Sequence, residues 1–143
     1  MTTEFIWPIR VYYEDTDAGG VVYYANYLKY YERARTEWLN QLKINQVELL
    51  DKNIVFVVTK AEIEYLKPAK LNNELVVKSR IIKVTAASVE FEQKIILEEK
   101  GLEEKGPSIL LNRANIKVAC LKLNSFSPCR IPAIVKEEFQ RVS

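Results

Sequence analysis

Polar and apolar residues change their rhythm several times along this chain. Residues 6–13 are rich in β-branched and aromatic side chains and predict a strand, which Pro8 confines to a sheet edge or to the strand start. Residues 14–20 read Glu-Asp-Thr-Asp-Ala-Gly-Gly and predict a loop. From Asn26 the spacing becomes helical: Tyr27, Tyr31, Ala34, Trp38 and Leu42 form one apolar stripe, about four to five turns long. Lys29, Glu32, Arg33 and Glu37 mostly fall off that stripe, and Asn26 is placed to cap the helix. A helix this aromatic must be covered by a large surface. A shorter helical piece is expected over residues 46–51.

After Asn53 the pattern is β. In residues 59–65, Lys60, Glu62 and Glu64 alternate with Thr59, Ala61, Ile63 and Tyr65, which predicts a half-buried strand. Residues 67–73 form a turn and residues 74–84 the next strand. Residues 88–97 place Val89, Phe91, Gln93, Ile95 and Leu97 on one face and Glu90, Glu92 and Lys94 on the other. A charged hairpin loop is expected at 98–106. The last strand, 109–123, turns Ala114, Ile116, Val118 and Cys120 inward. Residues 125–132 read as a loop and 134–141 as a short helix.

Short connections make the later strands antiparallel. The economical fold is α+β, one domain over residues 1–143, with a single antiparallel sheet carrying one long helix on its inner face. One helix against one sheet leaves a modest core. A second subunit is therefore expected to complete the edge or face of the sheet.

Composition narrows the chemistry. The 143 residues are 48% hydrophobic and 28% charged, a globular balance. Lys plus Arg number 21 and Asp plus Glu 19, so the formal charge of +2 gives no basic stripe for nucleic acid. The stretch after Pro107 is locally basic, with Arg113, Lys117, Lys122, Arg130, Lys136 and Arg141. There is no histidine. That excludes Ser-His-Asp and Cys-His relays, along with zinc sites that need imidazole. Cys120 and Cys129 lack metal spacing and suggest a reduced, cytoplasmic protein. No metal or cofactor is expected. The first residues lack the pattern of a signal peptide, and no apolar run approaches the ~20 residues of a membrane span.

Asp15 and Asp17 lie shortly before the long helix. A helix start offers free backbone N–H groups and the positive end of the dipole, which can stabilise an oxyanion. A nearby carboxylate can attack an acyl carbon or activate water, and glycines such as Gly20 let backbone approach a ligand. Taken alone, the same residues also fit an ordinary polar turn. They do not fit an EF-hand loop, whose later ligands are missing.

Residues 11–35, from Val11-Tyr12-Tyr13-Glu14-Asp15-Thr16-Asp17-Ala18-Gly19-Gly20 to Tyr31-Glu32-Arg33-Ala34-Arg35, resemble the signature of hotdog-fold acyl-CoA thioesterases. Within these, they are similar to the 4-hydroxybenzoyl-CoA thioesterase group and its Tol–Pal-associated YbgC branch. Tyr65-Leu66-Lys67-Pro68-Ala69 and Cys129-Arg130-Ile131-Pro132 add support. The resemblance implies a five-stranded antiparallel sheet wrapped around one helix, working as a homodimer or homotetramer with sites at the dimer interface. It implies hydrolysis of an acyl-CoA thioester to free acid and CoA. Asp17 takes the position of the catalytic carboxylate, the Tyr24 backbone amide that of the group polarising the carbonyl, and Asp15 reads as a loop-ordering residue. The YbgC branch usually has histidine at the position of Tyr24, and a phenol titrating near ~10 cannot replace it as a base at neutral pH.

Gly20 and Tyr27 are further candidates for contact with substrate. Lys83, Lys122 and Arg130 are candidates for the CoA phosphates, and each also fits solvated surface charge. Glu32 and Glu37 are read as surface ion-pair partners of Arg33 or Lys29. A dehydratase on the same fold would need histidine. The remaining rival is a non-catalytic module that binds acyl-CoA or acyl carrier protein.

Overall fold

The computed structural model describes residues 3–98 and 108–143. Five strands form one antiparallel sheet: β1 (Phe5–Arg10), β2 (Ile54–Tyr65), β3 (Glu74–Val84), β4 (Ser88–Glu98) and β5 (Ser108–Lys122). Their spatial order is β1-β3-β4-β5-β2. Three α-helices join them, α1 (Asn26–Gln41), α2 (Gln46–Asp51) and α3 (Ala133–Val142). The single sheet with one long helix is the α+β architecture that the periodicity called for. The hairpin loop expected at 98–106 falls almost wholly outside the described residues. Among the described residues, no helix is long and apolar enough to cross a membrane.

The helix α1 buries Tyr27, Tyr30, Tyr31, Ala34, Arg35, Trp38 and Leu39. All but Arg35 join one core with Val77 and Ile81 of β3, Phe91 and Ile95 of β4, and Ile116 of β5. Trp38 stacks on Phe5 at 5.7 Å between ring centroids and meets Phe91 edge-on at 6.1 Å. Phe5 stacks in turn on Trp7. Truncating a side chain as deeply seated as Trp38 costs about 3–5 kcal/mol. On β4 and β5 the inward residues are the expected ones: Val89, Phe91, Gln93, Ile95, Ala114, Ile116, Val118 and Cys120 are all buried.

Three expectations need correction. The first strand stops at Arg10, and Tyr13–Asp15 form a 3-10 turn, because the backbone of Tyr12 bonds to Asp15 instead of continuing the ladder. Asn26 is the first residue of α1 and not its cap. The cap is Ala25, without a side-chain bond, and the Asn26 amide donates to the Asp15 carbonyl at 2.9 Å. Finally, residues 59–65 are not half-buried within one chain: only Ile63 is partly covered. β2 is a sheet edge, and its apolar face extends beyond what a single α1 can shield.

Candidate active site

The loop between β1 and α1 is a short hairpin with its own ladder. Thr16 pairs with Val22, the Asp17 N–H donates to the Val21 carbonyl at 2.9 Å, and the Tyr23 N–H donates to the Asp15 carbonyl at 3.0 Å. A second loop backs it: Val21 pairs with Lys70, and the Val22 N–H donates to the Ala69 carbonyl at 2.9 Å. The Tyr27 hydroxyl accepts from the Ala69 N–H at 3.0 Å. Helix, loop and turn 66–73 are thus tied into one unit.

The two aspartates of the loop have opposite environments. Asp15 is 6% exposed, and its Oδ2 accepts from the Tyr12 N–H at 2.8 Å. It holds the 3-10 turn closed. Beside it, outside hydrogen-bond geometry, is the buried Tyr30 hydroxyl. Burial and then the Asp15 carboxylate push the Tyr30 phenol far up. Asp17 is exposed. Its Oδ1 accepts from the Gly19 N–H at 2.8 Å, and its Oδ2 has no bonding partner among the described residues. One oxygen is anchored by backbone while the other is open to a ligand.

The glycines explain this posture. Gly20 adopts φ +78°, the left-handed region, and a Cβ there would meet nothing within 4 Å. A Cβ on Gly19 would lie 3.2 Å from Asp17 Oδ1. Glycine at 19 therefore leaves the carboxylate room to bond the amide.

Tyr24 lies two residues ahead of the first helical residue, in the turn leading into α1. Its N–H has no acceptor among the described residues. Its carbonyl accepts from the Tyr65 hydroxyl at 3.2 Å, and its exposed ring leans on Tyr23 and Tyr65. In the hairpin register, Val21 faces Asp17, and Tyr24 comes three positions later, at the hairpin's helix end.

The structure does not bring every candidate together. Tyr27 is 3% exposed, packed against Tyr30 and Tyr65, with its hydroxyl already used. Lys83 is exposed near the far end of β3, roughly 30 Å of strand from the loop end. Arg130 belongs to that same far end, since the following Ile131 N–H donates to the Ala86 carbonyl at 2.8 Å. Lys122, at the end of β5, is also there. Glu32 does not pair with Arg33 or Lys29 among the described residues; its Oε1 accepts from the Thr36 hydroxyl at 3.0 Å.

Sequence reasoning missed Arg35. Only 9% exposed, its Nη1 donates to Gln93 Oε1 at 2.9 Å. Gln93 in turn donates to the Tyr31 carbonyl and to the Ser79 hydroxyl. Burial lowers the Arg35 guanidinium to about 10, with Glu32 opposing the shift, so it stays charged at neutral pH. The signal was available: Arg35 lies four residues after Tyr31 and four before Leu39, on the buried side of the helix. Among the described residues, no cluster of acidic or thiol groups could hold a metal.

Known proteins resemble the chain over most of its length. The Thioesterase superfamily family description matches residues 19–104. The chain is 41% identical over 140 residues to the acyl-CoA thioester hydrolase YbgC of Escherichia coli, covering 98% of both chains. It is also 41% identical over 139 residues to the acyl-CoA thioesterase YbgC of Haemophilus influenzae, covering 96% of both. Among solved structures, a probable thioesterase from Bartonella henselae aligns with a TM-score of 0.79 at 32% identity, over 91% of this chain and 100% of the other. A 1,4-dihydroxy-2-naphthoyl-CoA thioesterase from Synechocystis shares the fold, with a TM-score of 0.83 at 22% identity over 96% of each chain. With matches over this much of its length, the chain belongs to the thioesterase superfamily and, within it, to the YbgC family.

Proposed function

We propose that this chain hydrolyses acyl-CoA thioesters to a free carboxylic acid and CoA, with Asp17 as the reacting carboxylate and the Tyr24 N–H as the oxyanion donor. The observation that carries the reading is the Asp17 carboxylate itself, anchored through one oxygen at Gly19 and open at the other. In one route the free oxygen attacks the thioester carbon and the C–S bond breaks. The CoA thiolate leaves and takes a proton, and water then hydrolyses the mixed anhydride. In the other route Asp17 takes a proton from a water whose oxygen attacks the same carbon. Both consume one water and release acid and CoA. A backbone N–H with no other acceptor, at the positive end of α1, suits the negative charge that builds on the carbonyl oxygen.

The working unit in this reading is a homodimer, alone or paired into a homotetramer. β2 supports it, since among the described residues its outer edge has no strand beside it and Val58, Tyr65 and Leu66 are nearly half exposed. Pairing two β2 strands antiparallel would set the Tyr65 end of one protomer beside the Ile54 end of the other. The partner's copy of the basic far end would then lie alongside the loop. This gives Arg130 and, more distantly, Lys83 a route to the CoA phosphates that one chain does not supply. Gly20 would shape the wall near the thioester, while the buried Tyr27 would support it from behind by holding the Ala69 turn. Acyl carrier protein is the other thioester carrier that the reading admits.

Single turnover in heavy-oxygen water tests the route: label entering Asp17 identifies the covalent path, and label only in the product acid identifies general-base attack. Full activity in Asp17→Asn would remove Asp17 from the chemistry. If the wild type cleaves none of a panel of acyl-CoA and acyl-carrier thioesters yet binds them, the chain is a binding module instead.

A further inference from the structure

Beneath the middle of α1, away from the Asp17 loop, lies a cavity of about 120 Å³. Phe56, Phe91 and Phe139 line its apolar floor, and Glu32 and Val58 are at its exposed side. Arg35 also lines it. The chamber therefore joins an aromatic floor to a buried cation, with Glu32, Thr36 and Gln46 as its other polar lining. The guanidinium has one neutral partner, Gln93, and no carboxylate within ion-pair distance among the described residues. A buried charge of this kind is costly unless something anionic completes it. Glu32, at the exposed side of the same chamber, compensates the charge only from a distance: it opposes the burial shift but forms no ion pair with the guanidinium, and its Oε1 accepts from the Thr36 hydroxyl. The chamber is too small for a whole acyl-CoA, whose class of ligand fills several hundred Å³, and has room only for the end of a chain.

We infer that this cavity receives the far end of the acyl group, and that Arg35 selects acyl chains ending in a carboxylate. The inference rests on the thioesterase reading of the Asp17 loop. Arg35 comes eleven residues after Tyr24, and at 1.5 Å rise per residue that is about 16 Å along α1. At ~1.2 Å per bond, an extended chain needs roughly a dozen bonds to reach from the thioester to the guanidinium. A terminal carboxylate would take the Arg35 donors that Gln93 leaves open, in a charge-assisted bidentate pair, while its methylenes cover the phenylalanines. A short chain cannot reach.

The test compares matched thioesters: dodecanoyl-CoA with dodecanedioyl-CoA, and hexanoyl-CoA with adipoyl-CoA. The expected result is a preference in kcat/KM of about tenfold or more for the dodecanedioyl ester, with none in the shorter pair. Arg35→Met should abolish that preference by raising KM for the dodecanedioyl ester alone, and Arg35→Lys should keep part of it. Binding is read without turnover: dodecanedioate should raise the melting temperature of the wild type and not of Arg35→Met. If Arg35→Met does not fold, the wild-type length dependence and Arg35→Lys decide. A wild-type ratio at or below one, or the same ratio in Arg35→Met, overturns the inference. So does Arg35-dependent inhibition by free dodecanoate without any preference among the esters, which would make the cavity a site for free acid. Failure of the thioesterase reading looks different: no ester is cleaved, or Asp17→Asn cleaves all four at the wild-type rate, while the dodecanedioate melting shift still reports on Arg35.

Discussion

The Asp17 loop and the Arg35 cavity hold opposite charges in opposite ways. Asp17 is an exposed anion, fixed by backbone groups of its own hairpin and left with one oxygen free. Arg35 is a buried cation, fixed by side chains from β3 and β4 through Gln93 and Ser79. Backbone anchoring would keep the proposed reacting carboxylate in place while letting water and thioester reach it. Side-chain anchoring in the core gives a charge that only a ligand able to replace water can meet. The first arrangement suits a reaction and the second suits recognition.

The comparison predicts that activity and stability separate. The largest effect is expected at Asp17→Asn: a fall in kcat/KM of roughly a thousandfold or more, read as CoA thiol release, with the melting temperature almost unchanged. Asp15→Ala should do the reverse in emphasis. It leaves the partly buried Tyr12 N–H without its charged acceptor, so stability should fall by about 1–3 kcal/mol in urea unfolding, with activity lost only as the loop loosens. In the cavity, Gln93→Leu should cost a similar 1–3 kcal/mol, because it strands Arg35 and removes the bonds to Ser79 and the Tyr31 carbonyl. Its kcat on short acyl-CoA esters should stay within about twofold, since Gln93 touches neither Asp17 nor Tyr24.

The smallest effects come from the two loop glycines, and they should split the same way. Gly20→Ala meets no neighbour but strains a left-handed residue, so it should cost about 1 kcal/mol of stability and little activity. Gly19→Ala should lower kcat several-fold with little loss of stability, since the added methyl presses on Asp17 Oδ1 at 3.2 Å. If Gly19→Ala loses only stability, the anchored oxygen is not part of the working geometry.

The parts of the fold fixed by periodicity were legible. The α1 stripe and the inward residues of β4 and β5 follow from which positions can be apolar together. What was not legible depended on partners distant in sequence. Tyr12 and Tyr13 read as strand because aromatics favour sheets, yet the Asp15 carboxylate draws that backbone into a 3-10 turn. Asn26 looked like a cap because its residue type caps helices; its amide instead reaches back to Asp15. The alternation in residues 59–65 identified an apolar face without saying what covers it. Lys83 and Arg130 were chosen for charge, and charge does not reveal which end of a sheet a residue occupies. Arg35 was passed over because a charged residue on an apolar stripe reads as an interruption.

The aromatic stack at the start of the chain has an optical consequence. The protein's two tryptophans, Trp7 and Trp38, both lean on Phe5, where β1 meets α1. Intrinsic tryptophan emission therefore reports the docking of the first strand onto the helix, and its red shift on unfolding marks the loss of that junction. The Asp17 loop is surrounded by tyrosines instead, with Tyr23, Tyr24 and Tyr65 in ring contact. A ligand that alters tyrosine absorbance and leaves tryptophan emission unchanged would have been sensed at the loop, so the two chromophores divide the molecule into a folding reporter and a site reporter without any label.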